Sequence, residues 1–351
     1  MYKELKIKEI KYEIPPKGVT LIVTNQCTAA CSSCCFQCSP KKDEKMDIET
    51  AKEYIVNTVE SFESISLLVI SGGEPFLLGI EFLSSLIEFA KKQNLHTRIV
   101  TNGFWAKSLD ESKKVLSVLK NSGLNELNLS TGDEHQEFVS IDKVVNASIE
   151  SVKLGITTVI NVESHTNSQF EPQSLYNNKQ FYDFFIQNKN MDKLKIICGL
   201  WSSLDFAHEK YDYDENKLKI LQESKMGCDS IYNTFSIFPD GKMTSCCGLT
   251  VNNINELNLG NVHAENIKTL YENQYKNFIN LWLRVEGAYK IFDFLISKEP
   301  KLKTMELNHA CQACSLLFNN ELARNTLLEN YKEKIPEILF KYNINKKLKI
   351  I

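Results

Sequence analysis

The sequence predicts an α/β protein built on a mostly parallel sheet. Short apolar runs alternate with stretches of helical period up to about residue 200. Six such strand-then-helix units follow one another, which favours right-handed crossovers and a parallel sheet, closed as a barrel or open and doubly wound. The conspicuous motifs all stand just after an apolar run, where such folds place their sites.

Taken in order, Val19 to Val23 is the first strand and runs into Cys27. Asp47 can cap a helix whose apolar face is Ala51, Tyr54, Ile55, Val59 and Phe62. Ile65 to Ile70 is a buried-type strand ending in SGGEP. The second helix carries Phe82, Leu83, Leu86, Ile87 and Ala90. His96 to Thr101 is the third strand, ending in TNG, and Val115, Leu116 and Leu119 mark the helix after it. Leu127 to Ser130 ends in STGD, and Ile156 to Val162 and Leu194 to Leu200 are the fifth and sixth strands. Beyond residue 202 the pattern breaks into a polar, aromatic linker. TFSIFPDGKMTSCC then reads as a hairpin turning at Pro239, Asp240 and Gly241. Ala264 to Ser297 is largely helical, with Tyr275, Phe278, Trp282, Tyr289 and Phe292 as packing surface. CQAC and a charged helical tail close the sequence.

Composition narrows the function. The 351 residues are 43% apolar and 24% charged, ordinary globular values. A net charge of -3 gives no standing attraction to nucleic acid or an anionic membrane. No run reaches the ~18 apolar residues of a membrane helix, and Met1 to Lys11 is too charged for a signal peptide, so a cytoplasmic location is expected. Thiols stay reduced there, and the eleven cysteines point to metal ligands or catalysts rather than disulfides.

Cys27, Cys31 and Cys34 have the spacing C-x3-C-x2-C. Three thiolates on one short loop can hold three irons of a cubane cluster and leave the fourth open, which a catalytic centre needs. With Gly72, Gly73, Glu74 and Pro75 after the second strand, this resembles the radical S-adenosylmethionine (SAM) superfamily. The resemblance implies a [4Fe–4S] cluster whose open iron is chelated by SAM, and a 5′-deoxyadenosyl radical that abstracts hydrogen from substrate. It implies that Gly72 to Pro75 place the SAM amine, and that Ser130, Asp133 and Asn161 touch its ribose and carboxylate. The aromatic residue usual before the third cysteine is Ser33 here, and Phe36 could supply that apolar surface.

Cys228, Cys246, Cys311 and Cys314, with Gly241 in the hairpin, form the order C-x12-G-x4-C…C-x2-C. This resembles the Twitch domain, a short form of the SPASM domain, and implies one auxiliary [4Fe–4S] cluster; a structural zinc site is the alternative on the same four thiols. The expected fold is thus a partial (βα)6 barrel over residues 20–205 after an extension of residues 1–19. A linker spans 206–227, the Twitch unit 228–316 and a helical tail 317–351.

Cys247 directly follows a ligand. If residues 244–248 continue as strand, its side chain points opposite to that of Cys246, toward the barrel mouth; a packed thiol is the plainer alternative. CCFQCSP after the third ligand and this spare cysteine resemble the radical SAM peptide epimerases of epipeptide biosynthesis. That resemblance implies a ribosomal precursor peptide as substrate, conversion of L- to D-residues, Cys247 as hydrogen-atom donor, and a low-potential reductant such as flavodoxin or ferredoxin. No separate peptide-binding domain is expected before the barrel. Radical SAM Twitch dehydrogenases and thioether-forming peptide maturases are the rival readings, and a non-enzymatic zinc or iron–sulfur module is a remote one. Cys35, Cys38 and Cys198 read as small buried apolar residues, and His135 as a polar loop histidine.

Overall fold

The computed structural model describes residues 13–164, 167–187, 191–200, 227–304, 307 and 309–348. The interdomain linker expected at 206–227 lies outside the described residues, save Gly227.

Six parallel strands come first: β1 (Gly18–Thr24), β2 (Leu67–Gly72), β3 (His96–Thr101), β4 (Glu126–Gly132), β5 (Thr157–Ser164) and β6 (Leu194–Leu200). Between them run α1 (Ile48–Ser61), α2 (Ile80–Lys92), α3 (Leu109–Ser122), α4 (Asp133–Gln136), α5 (Ile141–Lys153), α6 (Pro172–Asn177) and α7 (Lys179–Phe181), the last continued by a π-helical turn at Tyr182–Gln187. Each unit folds for a local reason. Asp47 caps α1 by accepting from the Thr50 amide at 2.9 Å. Ser108 caps α3, and Gly123 ends it in the left-handed region, φ 119°.

Along the strands the side chains alternate strictly. Leu68, Ile70, Ile99, Leu127, Leu129, Ile160 and Val162 are buried in the core under the helices. Their neighbours Leu67, Val69, Ser71, Arg98, Val100, Asn128, Ser130, Asn161 and Glu163 line a cavity of about 380 Å³ on the concave face.

The sheet does not stop at the barrel. Its order is β6-β5-β4-β3-β2-β1-β7-β8-β9, with β7 (Thr234–Ile237) parallel to β1 and β8 (Lys242–Thr244) and β9 (Asn258–Asn261) added antiparallel. The predicted hairpin is therefore a continuation of the barrel sheet, and β9 is a third strand that the sequence reading lacked. Gly241, at φ 80°, makes the turn, where a Cβ would stand 2.5 Å from the His263 ring. Phe62 packs edge to face on Phe235 and Tyr271 across this join, and the latter two meet at a tilt, which seals it apolar.

The remaining helices are α8 (Ile267–Asn273), α9 (Phe278–Lys298), α10 (Ala310–Asn319), α11 (Glu321–Asn330) and α12 (Ile335–Lys347). Phe278, Trp282 and Phe292 are fully buried, as packing surface should be. α9 breaks at Gly287, φ 80° and ψ 167°, where it passes Gly227. Buried Glu286 receives Trp282 Nε1 at 2.8 Å and pairs with Lys341, fastening α12 to α9. Among the described residues, no helix is long and apolar enough to cross a membrane.

Candidate functional site: two cysteine sets on adjoining cavities

Cys27, Cys31 and Cys34 lie on the loop between β1 and α1, at the C-terminal mouth of the strands, and all three open on the concave cavity. Polar contacts fix this loop from several sides. Glu134, in α4, accepts from the Ser33 amide and the Ser32 hydroxyl, both at 3.0 Å. Cys27 Sγ receives the Ala29 amide at 3.4 Å and Asn102 Nδ2 at 3.7 Å, and Cys34 Sγ receives the Cys38 amide at 3.3 Å. Donors aimed at sulfur favour thiolate, so this donor set suits a bound metal group.

Without metal the three thiols differ. Burial pushes Cys27 up to about 11 and Cys31 to about 12. Cys34 is lowered to about 6, chiefly because the Cys38 thiol donates to it. Among the described residues no three His, Cys, Asp or Glu side chains converge on a single ion. A cubane needs no such convergence, since each thiolate takes its own iron.

Gly72 and Gly73 line the same cavity, but they are glycine for a reason the sequence did not suggest. A Cβ on Gly72 would fall 2.3 Å from Thr24 O, and one on Gly73 2.2 Å from Gln26 O. These glycines let the end of β2 close on the cysteine loop itself, rather than only admitting a ligand. Glu74 also departs from expectation. Its side chain is fully buried and held by Thr101 Oγ1 (2.8 Å), the Asn102 amide (2.8 Å) and the Phe76 amide (3.1 Å), so it does not face the cavity. Burial raises its carboxyl to about 7 against those bonds. Pro75 is buried and begins a 3₁₀ turn. Asp133 is turned to the amides of Gln169 and Phe170, at 3.0 and 2.5 Å. Of the SAM contacts expected from sequence, Gly72, Gly73, Ser130 and Asn161 line the cavity.

Sequence reasoning missed four polar groups of this wall: Arg98, Asn102, Asn128 and Glu163. Arg98 forms an ion pair with Glu126 at 2.9 Å. Glu163 contacts His135 Nδ1 at 3.2 Å, and both line the cavity. Burial opposes the charge of His135, but Glu163 outweighs it and the imidazole pKa is raised. His135 is thus more than a polar loop residue. Phe36 lines the cavity beside Ser33 and packs on Phe238 at 6.1 Å.

The second set is built from distant segments. Cys228 follows Gly227, Cys246 follows β8, and Cys311 and Cys314 stand on the first turn of α10. All four line one cavity of about 520 Å³, roofed by the broken stretch of α9 at Leu283, Glu286, Gly287, Ala288 and Tyr289. The Cys228 amide donates to Leu283 O at 2.8 Å, and Thr250 Oγ1 donates to Cys311 O at 2.8 Å. A Cβ on Gly248 would touch Cys246 Sγ and Cys311 Sγ alike, both at 3.4 Å, so the glycine leaves room between two sulfurs. Burial raises the Cys228, Cys246 and Cys314 thiols. Four thiols around one buried cavity fit a four-thiolate metal group.

Strand β8 ends at Thr244, so strand alternation is not what separates Cys246 from Cys247. They separate nonetheless. Cys246 is buried in the second cavity, whereas exposed Cys247 lines the first, together with Cys27, Cys31 and Cys34. Ser230 Oγ accepts the Cys247 amide at 3.2 Å and lies 3.3 Å from its sulfur. Cys35 and Cys38 belong to the first cavity, and Cys198 is exposed on β6, 3.4 Å from Ser164 Oγ; only Cys38 is buried as a small apolar residue would be.

The chain resembles known proteins in sequence and fold. Residues 21–160 match the model of the Radical SAM superfamily. A putative peptide biosynthesis protein, YydG, of Bacillus subtilis is 24% identical over 87% of this chain and 92% of its own length. A cysteine-type anaerobic sulfatase-maturating enzyme of Clostridium perfringens is 23% identical over 89% of this chain and 98% of its own. The solved structure of native anSMEcpe with bound AdoMet superposes with a TM-score of 0.57 at 16% identity, over 93% of this chain and all of that one. The same enzyme with AdoMet and the Cp18Cys peptide gives 0.56, over 94% of this chain.

Proposed function

We propose that the barrel of this chain, whose residues 21–160 match the Radical SAM superfamily, is a radical SAM domain that epimerises L- to D-residues in a ribosomally made peptide. The divergence of Cys246 and Cys247 into two adjoining cavities carries the reading. A peptide as substrate is supported by the relatives, one named for peptide biosynthesis and another solved with a peptide.

Cys27, Cys31 and Cys34 would hold a [4Fe–4S] cluster, with SAM beside Gly72, Gly73, Ser130 and Asn161. Together these groups would supply a 5′-deoxyadenosyl radical that removes a Cα hydrogen. The chain's own part is geometry. The apolar wall of Leu67, Val69, Val100 and Phe36 keeps water from the reacting carbon, and Leu249 stands beside Cys247 at the mouth. Cys247 then gives a hydrogen atom to the opposite face of that carbon. The S–H bond breaks, the new C–H bond forms, and the sulfur radical left behind takes one electron from a low-potential reductant such as flavodoxin or ferredoxin and one proton from solvent. Ser230 holds the thiol through the Cys247 amide. Cys228, Cys246, Cys311 and Cys314 would hold an auxiliary [4Fe–4S] cluster.

A maturase reading, in which the same fold oxidises or crosslinks its peptide, draws on the sulfatase-maturating relative, whose identity to this chain is nearly the same. Product mass separates the two. Oxidation or crosslinking removes two hydrogens, whereas epimerisation leaves the mass unchanged in ordinary water.

In heavy water, each inverted residue should gain one deuterium at Cα, because the thiol proton exchanges with solvent. The hydrogen removed should appear in 5′-deoxyadenosine. Cys247→Ala should keep its iron and still cleave SAM, while D-residues fall sharply. Normal D-residue formation by that variant, or product without deuterium, would return Cys247 to a structural role and favour the maturase.

A further inference from the structure

The end of β3 carries a polar network that neither the superfamily match nor the epimerase reading accounts for. Its centre is Asn102, which is 5% exposed. All of its hydrogen-bonding groups save the carbonyl have a partner that fixes the side chain. The backbone amide donates to Glu74 Oε2 at 2.8 Å. Oδ1 accepts from the Phe104 amide at 3.0 Å. Nδ2 has two protons and two partners, Thr28 Oγ1 at 3.0 Å and Cys27 Sγ at 3.7 Å. The amide cannot be reversed, since that would set Nδ2 against the Phe104 N–H and Oδ1 against a thiolate. Nitrogen therefore faces sulfur.

Glu74 holds this arrangement from behind. Its carboxylate takes the Asn102 amide and Thr101 Oγ1, and Thr101 Oγ1 in turn takes Trp105 Nε1 at 3.1 Å and the Gly103 amide at 3.0 Å. Phe76 stacks on Trp105 at 4.4 Å and closes the network against the core. The glutamate of the SGGEP stretch thus reaches the cysteine loop through Asn102.

We propose that Asn102 is a tuning residue for the barrel metal group, donating a side-chain hydrogen bond to the Cys27 thiolate, with Glu74 as the positioning residue that fixes it. The inference rests on reading Cys27 as a cluster ligand. A donor on a ligand sulfur withdraws charge from it and favours the reduced cluster, which carries one more negative charge. The bond therefore raises the reduction potential and eases entry of the electron that radical formation needs.

The test is a redox titration of the anaerobically reconstituted full-length protein, followed by the EPR signal that changes on adding SAM. Asn102→Ala should keep its iron and shift the one-electron equilibrium about tenfold toward the oxidised form, a fall of about 59 mV. Asn102→Asp keeps the acceptor for Phe104 but sets negative charge at the sulfur, and should fall further. Thr28→Val removes the other partner of Nδ2 and should leave the one-electron equilibrium within about twofold of wild type. An unchanged potential in iron-replete Asn102→Ala overturns the proposal while leaving the cluster reading intact. A SAM-responsive EPR signal and an undiminished content of about eight irons in Cys27→Ala overturn both. Should the Asn102 variants not take up iron, wild-type protein labelled with side-chain ¹⁵N-asparagine decides. A ¹⁵N coupling to the reduced cluster in pulsed EPR is expected, and its absence refutes the bond.

Discussion

The two cysteine sets use the same side chain under opposite conditions. The first spans eight residues on one loop, opens on the strand-lined cavity, and is surrounded by polar donors: Ala29, Asn102 and Cys38 aim at its sulfurs, and Glu134 holds the loop. The second draws on three segments between Cys228 and Cys314, and helix α9 must break at Gly287 to roof it. Within the first set hydrogen bonds from Cys38 lower Cys34 to about 6 while burial raises Cys27 and Cys31, whereas burial raises Cys228, Cys246 and Cys314 of the second alike. A metal group that must deprotonate buried thiols couples its binding to the fold around it. The difference is one of construction: hydrogen-bond donors reach the sulfurs of the first set, whereas distant segments meet around the second.

The strongest way to break this contrast is to delete ligands from each side. Cys27→Ala, Cys31→Ala and Cys34→Ala together should abolish SAM cleavage yet change the melting of the C-terminal half little. Cys311→Ala with Cys314→Ala should bring iron from about eight to about four per chain, keep SAM cleavage, and loosen α10 in hydrogen exchange. Equal effects on both readouts from either set would erase the distinction.

A smaller perturbation sharpens it. A Cβ on Gly227 would stand 2.1 Å from Arg284 O, and the residue sits at φ 89°. Gly227→Ala should therefore move Cys228 away from α9, at a cost of about 1–3 kcal/mol for the backbone alone. Iron at the second set should fall while the barrel signal persists, as measured by iron content and EPR.

The smallest effect concerns ionisation. Cys34 is lowered mainly by the Cys38 thiol, so Cys38→Ala should raise its pKa. A depressed thiol pKa contributes stability above the unfolded value of about 8.5, and that contribution is lost as pH falls through about 6. In metal-free protein, alkylation of Cys34 at pH 7 should be several-fold slower in the variant, with its midpoint moved to higher pH. An unshifted midpoint would assign the low value to the Cys38 and Phe36 amides instead.

Much of this was legible in the residues. Periodicity located the six strands, because parallel strands buried on the helix side must be apolar there, and His96–Thr101 and Leu194–Leu200 are observed as read. The cysteine spacings pointed to both sets, and the structure gathers each around one cavity, the first on a short loop and the second from distant segments. The polar wall went unread, although LNLS and VINVES carried its signal, a polar residue at every second place of a buried strand. That signal becomes a wall only once curvature brings Arg98, Asn128 and Glu163 to one concave face.

What the sequence determined by itself, then, is local: periods, caps, turns and the donors within one loop, all fixed by contacts between near neighbours. Only the tertiary structure decided the rest. It turned Glu74 and Asp133 into struts, joined the hairpin to the barrel sheet through β1 and β7, and divided Cys246 from Cys247 between two cavities. The physical reason is that burial and hydrogen-bond partnership depend on segments tens to hundreds of residues away. A side chain's direction is set by whichever of those segments packs against it.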